Sequence, residues 1–204
     1  MIRDNLFEPI GHTQALELLM SGNKRYVDDR LEFSVDIVGD RKMLAQKGQA
    51  PFAAILGCSD SRVPPEVVFD VGIGQIFVIR TAGNVADAST IGSVEYAVDH
   101  LHTQLVLVMG HQKCGAVAAA NSGGDYGPNI GAIISEIEPS LKKARSGMGA
   151  GDENDILRKC EDENVRHSAM RLAESAILKK HLDSGSLKIV CAKYNLDSGK
   201  VSII

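Results

Sequence analysis

Apolar and polar positions along the chain fall into blocks that predict strands and helices in turn. Four apolar runs, at residues 51–58, 75–80, 105–110 and 187–196, have the length and the branched side chains of buried strands. A turn at residues 197–199 and the closing VSII predict a short final strand in a hairpin. Strands that alternate with helical segments predict an α/β fold, with a mainly parallel sheet of four to five strands flanked by helices.

In the segments between these runs, apolar residues recur at the spacing of one face of a helix. A helix capped by Thr13 and ending near Asp29 places Leu16 and Leu19 on one face, so we expect an arm that packs on its own chain or on a partner. Further helices are predicted over residues 36–47, 90–101 and 128–145, after Cys114, and as one long helix over 152–181. We interpret residues 1–204 as a single domain, with a helical arm at 1–48 and an α/β core at 49–204.

Composition and charge exclude several classes of function. The net charge of −4 and the aromatic content of 4% argue against a nucleic-acid partner. No apolar run approaches the ~20 residues that a membrane span needs, and the N-terminus resembles no secretory signal. We therefore expect a cytoplasmic protein that has no membrane partner. Its four cysteines are then expected to stay reduced and to serve a metal or catalysis.

Two predicted strand ends carry chemically reactive side chains. The run that begins at Leu105 is followed by His111 and, at a helix start, by Cys114, whereas the first strand ends at Cys58, before Asp60 and Arg62. If the backbone stays extended, Cys58, Asp60 and Arg62 point the same way. Carboxyl ends of neighbouring parallel strands lie about 4.8 Å apart, and ligands of α/β sheets bind at this edge. Imidazole and thiolate groups together predict a zinc site.

The number of protein ligands stays open at this point. Three protein ligands and an open position are typical of catalytic zinc, whereas four are typical of structural zinc. Asp60 either fills the fourth position or leaves it to water.

The spacing C-x-D-x-R followed by H-x-x-C resembles the signature of the β-class carbonic anhydrases. This chain has CSDSR at residues 58–62 and GHQKCG at residues 110–115. The flanking segments GCSDSRVPPE, IFVIRTAGN and SVEYAVDHL and the terminal strand follow in the order of the family, so that the resemblance covers roughly residues 10–204. Two positions on the terminal strand depart from it, because Cys191 stands where glycine is usual and Lys193 where an aromatic residue is common.

The resemblance implies a role for each matching residue. The implied ligands of one Zn²⁺ ion per chain are Cys58, His111 and Cys114, and Asp60 and Arg62 form the Asp–Arg dyad. In the plant-type branch of the family the CO2 pocket lies at a dimer interface, and its lining positions here are Gln49, Phe77, Ala82 and Tyr96. A homodimer or a dimer of dimers is therefore expected.

The implied activity is the reversible hydration of CO2 to bicarbonate and a proton by attack of zinc-bound hydroxide. Hydrolysis of CS2 or COS at the same site is the alternative, and a non-enzymatic structural zinc is disfavoured by the intact dyad. One branch of the family closes its site with the Asp, and its allosteric pocket needs a Trp where this chain has Ile55. We therefore expect an open fourth position at neutral pH, with Asp60 held by Arg62 as a catalytic residue, and Asp60 is also the candidate for a fourth metal ligand beside Cys58, His111 and Cys114.

Overall fold

The computed structural model describes residues 8–32, 37–148 and 152–204, and its centre is a five-stranded sheet. The strands are β1 (Ala53–Cys58), β2 (Ile76–Thr81), β3 (Leu105–His111), β4 (Lys188–Tyr194) and β5 (Val201–Ile203). Their order is β2-β1-β3-β4-β5, in which the first four are parallel and β5 runs antiparallel to β4. The predicted α/β fold and the closing hairpin are confirmed.

The two central strands are the most apolar because helices cover both of their faces. Every residue of β1 and of β3 is buried, which is why these strands appear in the sequence as continuous apolar runs. β4 lies nearer the edge, and buried and partly exposed positions alternate along it. Parallel alignment brings the carboxyl ends of β1 and β3 to one edge of the sheet.

Eight α-helices and two short helical turns are present in the described part of the chain. The helices are α1 (His12–Val27), α2 (Ile37–Lys47), α3 (Pro65–Val68), α4 (Ala88–Glu95), α5 (Gly115–Ser122), α6 (Gly127–Met148), α7 (Glu153–Ala173) and α8 (Ala176–Asp183). The turns are a 3₁₀ turn at Ala82–Asn84 and a π-helical turn at Tyr96–His100. None of the helices in the described ranges has the length and apolarity to cross a bilayer.

Helix α1 packs on its own chain. Ala15 and Leu19 are fully buried in the apolar layer between α1 and the sheet. Asn23 completes the contact, because its amide donates to the carbonyls of Val68 (3.1 Å) and Gly199 (2.9 Å), and its oxygen accepts from the backbone N–H of Val201 (2.8 Å). The arm is therefore tied to the body of the same chain.

The helix cap predicted at Thr13 is wrong. Helix α1 begins one residue earlier, at His12, and Gly11 occupies the N-cap position. The Thr13 hydroxyl lies 3.3 Å from Nδ1 of His12. The start predicted for the next helix, Asp36, lies outside the described residues, as do residues 149–151, and α6 extends as far as Met148, beyond its predicted end at residue 145.

The single long helix predicted over residues 152–181 is also wrong, because two helices meet there. Helix α7 ends at Ala173, and Ser175 starts α8 by accepting a hydrogen bond from the backbone N–H of Leu178 (3.2 Å). The same hydroxyl donates to the Glu95 carboxylate (2.5 Å). A serine that caps a new helix turns the chain here, and Ala176, the first residue of α8, is exposed.

Candidate metal centre

The side chains at the carboxyl ends of β1 and β3 converge on one point. Cys58 is the last residue of β1, His111 is the last residue of β3, and Cys114 occupies the N-cap position of α5. Ligand atoms of the three residues all lie within 4.8 Å of one another, and all three residues are buried. The other two cysteines, Cys160 and Cys191, lie outside this group.

The imidazole of His111 is oriented for metal binding. Its Nδ1 lies 2.8 Å from the carbonyl oxygen of Gln112. Because a carbonyl only accepts hydrogen bonds, Nδ1 carries the proton and Nε2 carries the lone pair. Nε2 is buried and makes no hydrogen bond, which is costly unless another partner is bound. Two sulfur ligands and a free imidazole nitrogen fit Zn²⁺.

The two cysteines differ in their affinity for protons. The hydrogen bond with Cys114 lowers the pKa of the Cys58 thiol, against the opposing effect of burial and with help from His111. The same hydrogen bond, with burial, raises the pKa of Cys114. The backbone N–H of Gly83 also donates to Sγ of Cys58 (3.3 Å). A metal ion binds cysteine as the thiolate, so an ion held by both sulfurs would displace the proton that the two thiols share.

Asp60 and Arg62 form a bidentate ion pair beside these ligands. Arg62 donates from Nε to Oδ1 (2.9 Å) and from Nη2 to Oδ2 (2.7 Å), and its backbone N–H also donates to Oδ1 (2.9 Å). The strand does not continue to Arg62 as the expected extended backbone requires, because the chain turns and Val63 N–H donates to the Asp60 carbonyl (3.1 Å). The turn itself makes the bidentate geometry possible.

This ion pair sets the charge of Asp60. The hydrogen bonds from Arg62 hold the pKa of the Asp60 carboxyl well below its usual range, although burial acts in the opposite direction. Oδ2 of Asp60 lies 3.9 Å from Nε2 of His111. An ionised carboxylate is thus placed at the edge of the Cys–His–Cys group.

Arg80 holds the backbone at Cys58 and Asp60, a role that was not predicted from the sequence. Its Nε donates to the carbonyl of Cys58 (2.9 Å) and its Nη2 to the carbonyl of Asp60 (2.6 Å). The position lies within IFVIRTAGN, one of the segments that carry the resemblance. The sequence signal for this role was a charged residue at the end of an otherwise apolar strand.

Of the four predicted pocket residues, one, Ala82, lies beside the Cys–His–Cys group of the same chain, and the other three lie away from it. Ala82 directly precedes Gly83, which contacts Cys58. Phe77 pairs with Ala54, four residues before the ligand and so about 13 Å away at about 3.3 Å per residue. The ring of Tyr96 lies 6.2 Å from that of Phe77. Gln49 precedes β1, at the opposite end of the strand from Cys58.

A family model described as carbonic anhydrase matches residues 53–201. Carbonic anhydrase 2 of Mycobacterium tuberculosis is 40% identical over 192 residues, or 91% of this chain and 89% of that protein. The chain belongs to the β-class carbonic anhydrases, a family of lyases. The carbonic anhydrase of Mycolicibacterium smegmatis is 37% identical over 194 residues, covering 93% and 91% of the two chains.

Solved structures agree with the β-carbonic anhydrase fold. A Coccomyxa β-carbonic anhydrase in complex with acetazolamide matches with a TM-score of 0.74 at 26% identity, over 93% of this chain and 86% of that one. One of two tetrameric β-carbonic anhydrases from Sordaria macrospora matches with a TM-score of 0.76 at 23% identity, over 94% and 97%. At 23% identity, the similarity to the Sordaria macrospora structure shows a shared fold alone.

Proposed function

We propose that the chain catalyses the reversible, zinc-dependent hydration of CO2 to bicarbonate and a proton. The observation that carries this proposal is the convergence of Cys58, His111 and Cys114 within 4.8 Å, beside an Asp60 carboxylate held by Arg62. Membership of the carbonic anhydrase family supports the same reaction.

The three converging residues would hold one zinc ion per chain. Bound there, zinc supplies Lewis acidity, which lowers the pKa of a water molecule toward neutrality. The protein contributes the burial of the ligands and a fixed histidine tautomer, because the Gln112 carbonyl keeps Nδ1 protonated.

Asp60 is the acceptor for the reacting water in this proposal. Its pKa, lowered by Arg62, keeps it ionised, so that Oδ2 accepts a hydrogen bond and orients the water. Both carboxylate oxygens are engaged by the guanidinium, which holds Asp60 away from the metal ligands. With Asp60 held in this way, Cys58, His111 and Cys114 would hold the zinc and would leave its fourth position to water.

A second copy of the chain is expected to complete the CO2 pocket. Gln49, Phe77 and Tyr96 lie away from the Cys–His–Cys group, and Tyr96 is 47% exposed. If these residues line the pocket, as the resemblance implies, they do so for the site of a partner chain. A homodimer, or a dimer of dimers, is the proposed active form. Activity that persists in a monomer isolated by dilution, followed by light scattering, would contradict it.

Metal analysis combined with stopped-flow CO2 hydration tests the activity. Protein purified without chelator is expected to hold one zinc per chain and to hydrate CO2, and Cys58→Ser is expected to lose both. The matched control is Cys160→Ser, because Cys160 is equally buried but lies outside the metal group. Absence of zinc from the wild type rejects the proposal, and turnover of CS2 or COS without CO2 hydration assigns the site to those substrates.

Arg62→Ala tests the proposed role of the dyad. Without the guanidinium, Asp60 is free to reach the metal and displace water, so the variant is expected to keep its zinc and to lose about 100-fold in kcat. Arg30→Ala is the control, since Arg30 is an exposed arginine that pairs with Asp28. Wild-type turnover in Arg62→Ala would show that the ion pair has no part in the reaction.

A further inference from the structure

Helix α7 presents a buried polar face to the metal centre. Glu161, Asn164 and Ser168 are spaced by three and four residues, so they lie on one side of the helix, and they are 6%, 1% and 1% exposed. Asn164 donates to the carbonyl of Gly83 (2.7 Å) and Ser168 to that of Asn84 (2.9 Å). Glu161 contacts the other turn of the site, which connects His111 to Cys114.

Glu161 bonds to the backbone of this turn. Its Oε1 accepts a hydrogen bond from the N–H of Lys113 (2.7 Å). Lys113 lies between the two ligands His111 and Cys114 and has a φ of 54°, a left-handed conformation that a lysine seldom adopts. A backbone in this conformation persists where its surroundings fix it, and the Glu161 hydrogen bond fixes it from the N–H side.

The same turn connects Glu161 to the dyad. The carbonyl of Lys113 accepts a hydrogen bond from Nη2 of Arg62 (3.3 Å), and this nitrogen also holds Oδ2 of Asp60 (2.7 Å). Displacement of Lys113 therefore changes both the spacing of the two ligands and the position of the guanidinium.

Lys193 pairs with the second oxygen of the Glu161 carboxylate. Its Nζ lies 2.8 Å from Oε2 of Glu161 and 2.7 Å from Oδ1 of Asp162, and its side chain is only 16% exposed. One carboxylate oxygen thus faces an ammonium group, and the other faces the Lys113 N–H.

We propose that Glu161 is a positioning residue of the metal centre: through the Lys113 backbone it sets the His111–Cys114 spacing and the place of the Arg62 guanidinium. This inference rests on the proposed function, because it concerns residues that would hold zinc. The competing interpretation is that Glu161 serves only as a structural partner of Lys193.

Two conservative variants separate these interpretations. Glu161→Gln keeps the length of the side chain and an oxygen for the Lys113 N–H, but removes the charge that faces Lys193. Glu161→Asp keeps the charge but shortens the side chain by one methylene group. Its carboxylate therefore no longer reaches the Lys113 N–H, which the Glu161 side chain contacts at 2.7 Å. Positioning predicts damage in Glu161→Asp and rescue in Glu161→Gln, whereas a structural ion pair predicts the reverse.

Release of zinc from the holoenzyme to a coloured chelator is the main measurement, with kcat, KM and urea unfolding on the same samples. Glu161→Asp is expected to release zinc about tenfold faster and to lose kcat at unchanged KM, since outer contacts of metal ligands affect affinity by 10- to 100-fold. Glu161→Gln is expected to stay within about twofold of the wild type in both.

Glu163→Asp and Glu163→Gln are the matched controls. Glu163 lies on the same helix and is 5% exposed, and it pairs with Lys143, Lys159 and Arg166, away from the site turns. Zinc release at the wild-type rate is expected in both. Faster release from Glu161→Gln than from Glu161→Asp, equal rates in all variants, or equally fast release from Glu163→Asp would overturn the inference. A wild type without zinc or CO2 hydration would instead reject the proposed function.

Discussion

Helices α1 and α7 both pack on the sheet and bury apolar residues, but α7 buries more polar side chains, and the polar side chains of the two helices bond to different parts of the fold. Helix α1 buries Ala15 and Leu19 and one polar side chain, Asn23, whose hydrogen bonds go to residues of α3 and of the closing hairpin. Helix α7 buries Glu161, Asn164 and Ser168, and all three bond to the turns around the metal centre.

The difference shows how to interpret a buried polar group. Burying a polar side chain is favourable only when its hydrogen bonds are made. In α1 these bonds join parts of the fold that lie away from the ligands, so we expect Asn23 to contribute to stability. In α7 these bonds fix the turns that follow β2 and β3, which lie on either side of Cys58. We therefore expect the same kind of contact to affect metal binding. Variants in the two helices test this division.

The largest effect on stability is expected for Asn23→Ala. Removing the amide leaves three backbone groups, on Val68, Gly199 and Val201, without their partner. At about 1 kcal/mol for each lost bond, the free energy of unfolding is expected to fall by about 3 kcal/mol in urea titrations. The rate of zinc release from the folded protein is expected to stay at the wild-type value. Faster release would mean that α1 also supports the site.

The strands and the convergence of Cys58, His111 and Cys114 could be predicted from sequence because the cause is local in each case. β1 and β3 are buried on both faces, so their burial appears directly as apolar runs. Cys58, His111 and Cys114 stand at the ends of these strands, and parallel strands bring such ends to one edge. Strand geometry left the partner of Asp60 open, and the family signature predicted that this partner is Arg62.

The polar face of α7 could not be predicted, since the segment KCEDENVRHS has the charge pattern of a solvated helix. Burial of Glu161 depends on Lys193, a residue of β4 more than thirty positions later, and on a backbone N–H that no sequence pattern shows. The break between α7 and α8 had a signal, because Ser175 is a good N-cap residue. Helical spacing of apolar residues continues on both sides of Ser175, so the whole segment was predicted as one helix.

An intermediate effect is expected for Asn164→Ala. The variant loses the hydrogen bond to the Gly83 carbonyl (2.7 Å) and leaves that buried carbonyl unpaired, which is expected to lower the free energy of unfolding by about 2 kcal/mol. Because Gly83 N–H donates to Sγ of Cys58 (3.3 Å), zinc release is also expected to accelerate, by about tenfold.

The comparison of Asn164→Ala with Asn23→Ala is decisive because the two variants remove the same side chain. If zinc release follows stability alone, the less stable Asn23→Ala protein releases zinc faster, and the division between the helices fails. If release follows the contacts, Asn164→Ala releases zinc faster although it is the more stable of the two. Chelator competition and urea unfolding on the same preparations give both quantities.

The smallest effect, and one that depends on pH, is expected for Glu163→Gln. Burial acts to raise the pKa of the Glu163 carboxyl, but the hydrogen bond from Lys143, with Lys159 and Arg166, lowers it below the usual value. A carboxyl whose pKa is lower in the folded state stabilises the fold above the unfolded pKa, about 4.3, and this contribution is lost as the pH falls through the folded value. The wild type is therefore expected to be more stable than the variant at pH 7, with the difference shrinking as the pH falls through the folded value. Urea unfolding between pH 7 and pH 3 measures it, with Glu138→Gln, at an exposed pair with Lys142, as the control. A difference that persists undiminished at pH 3, or a change in zinc release at pH 7, would show that Glu163 does more than hold α6 against α7.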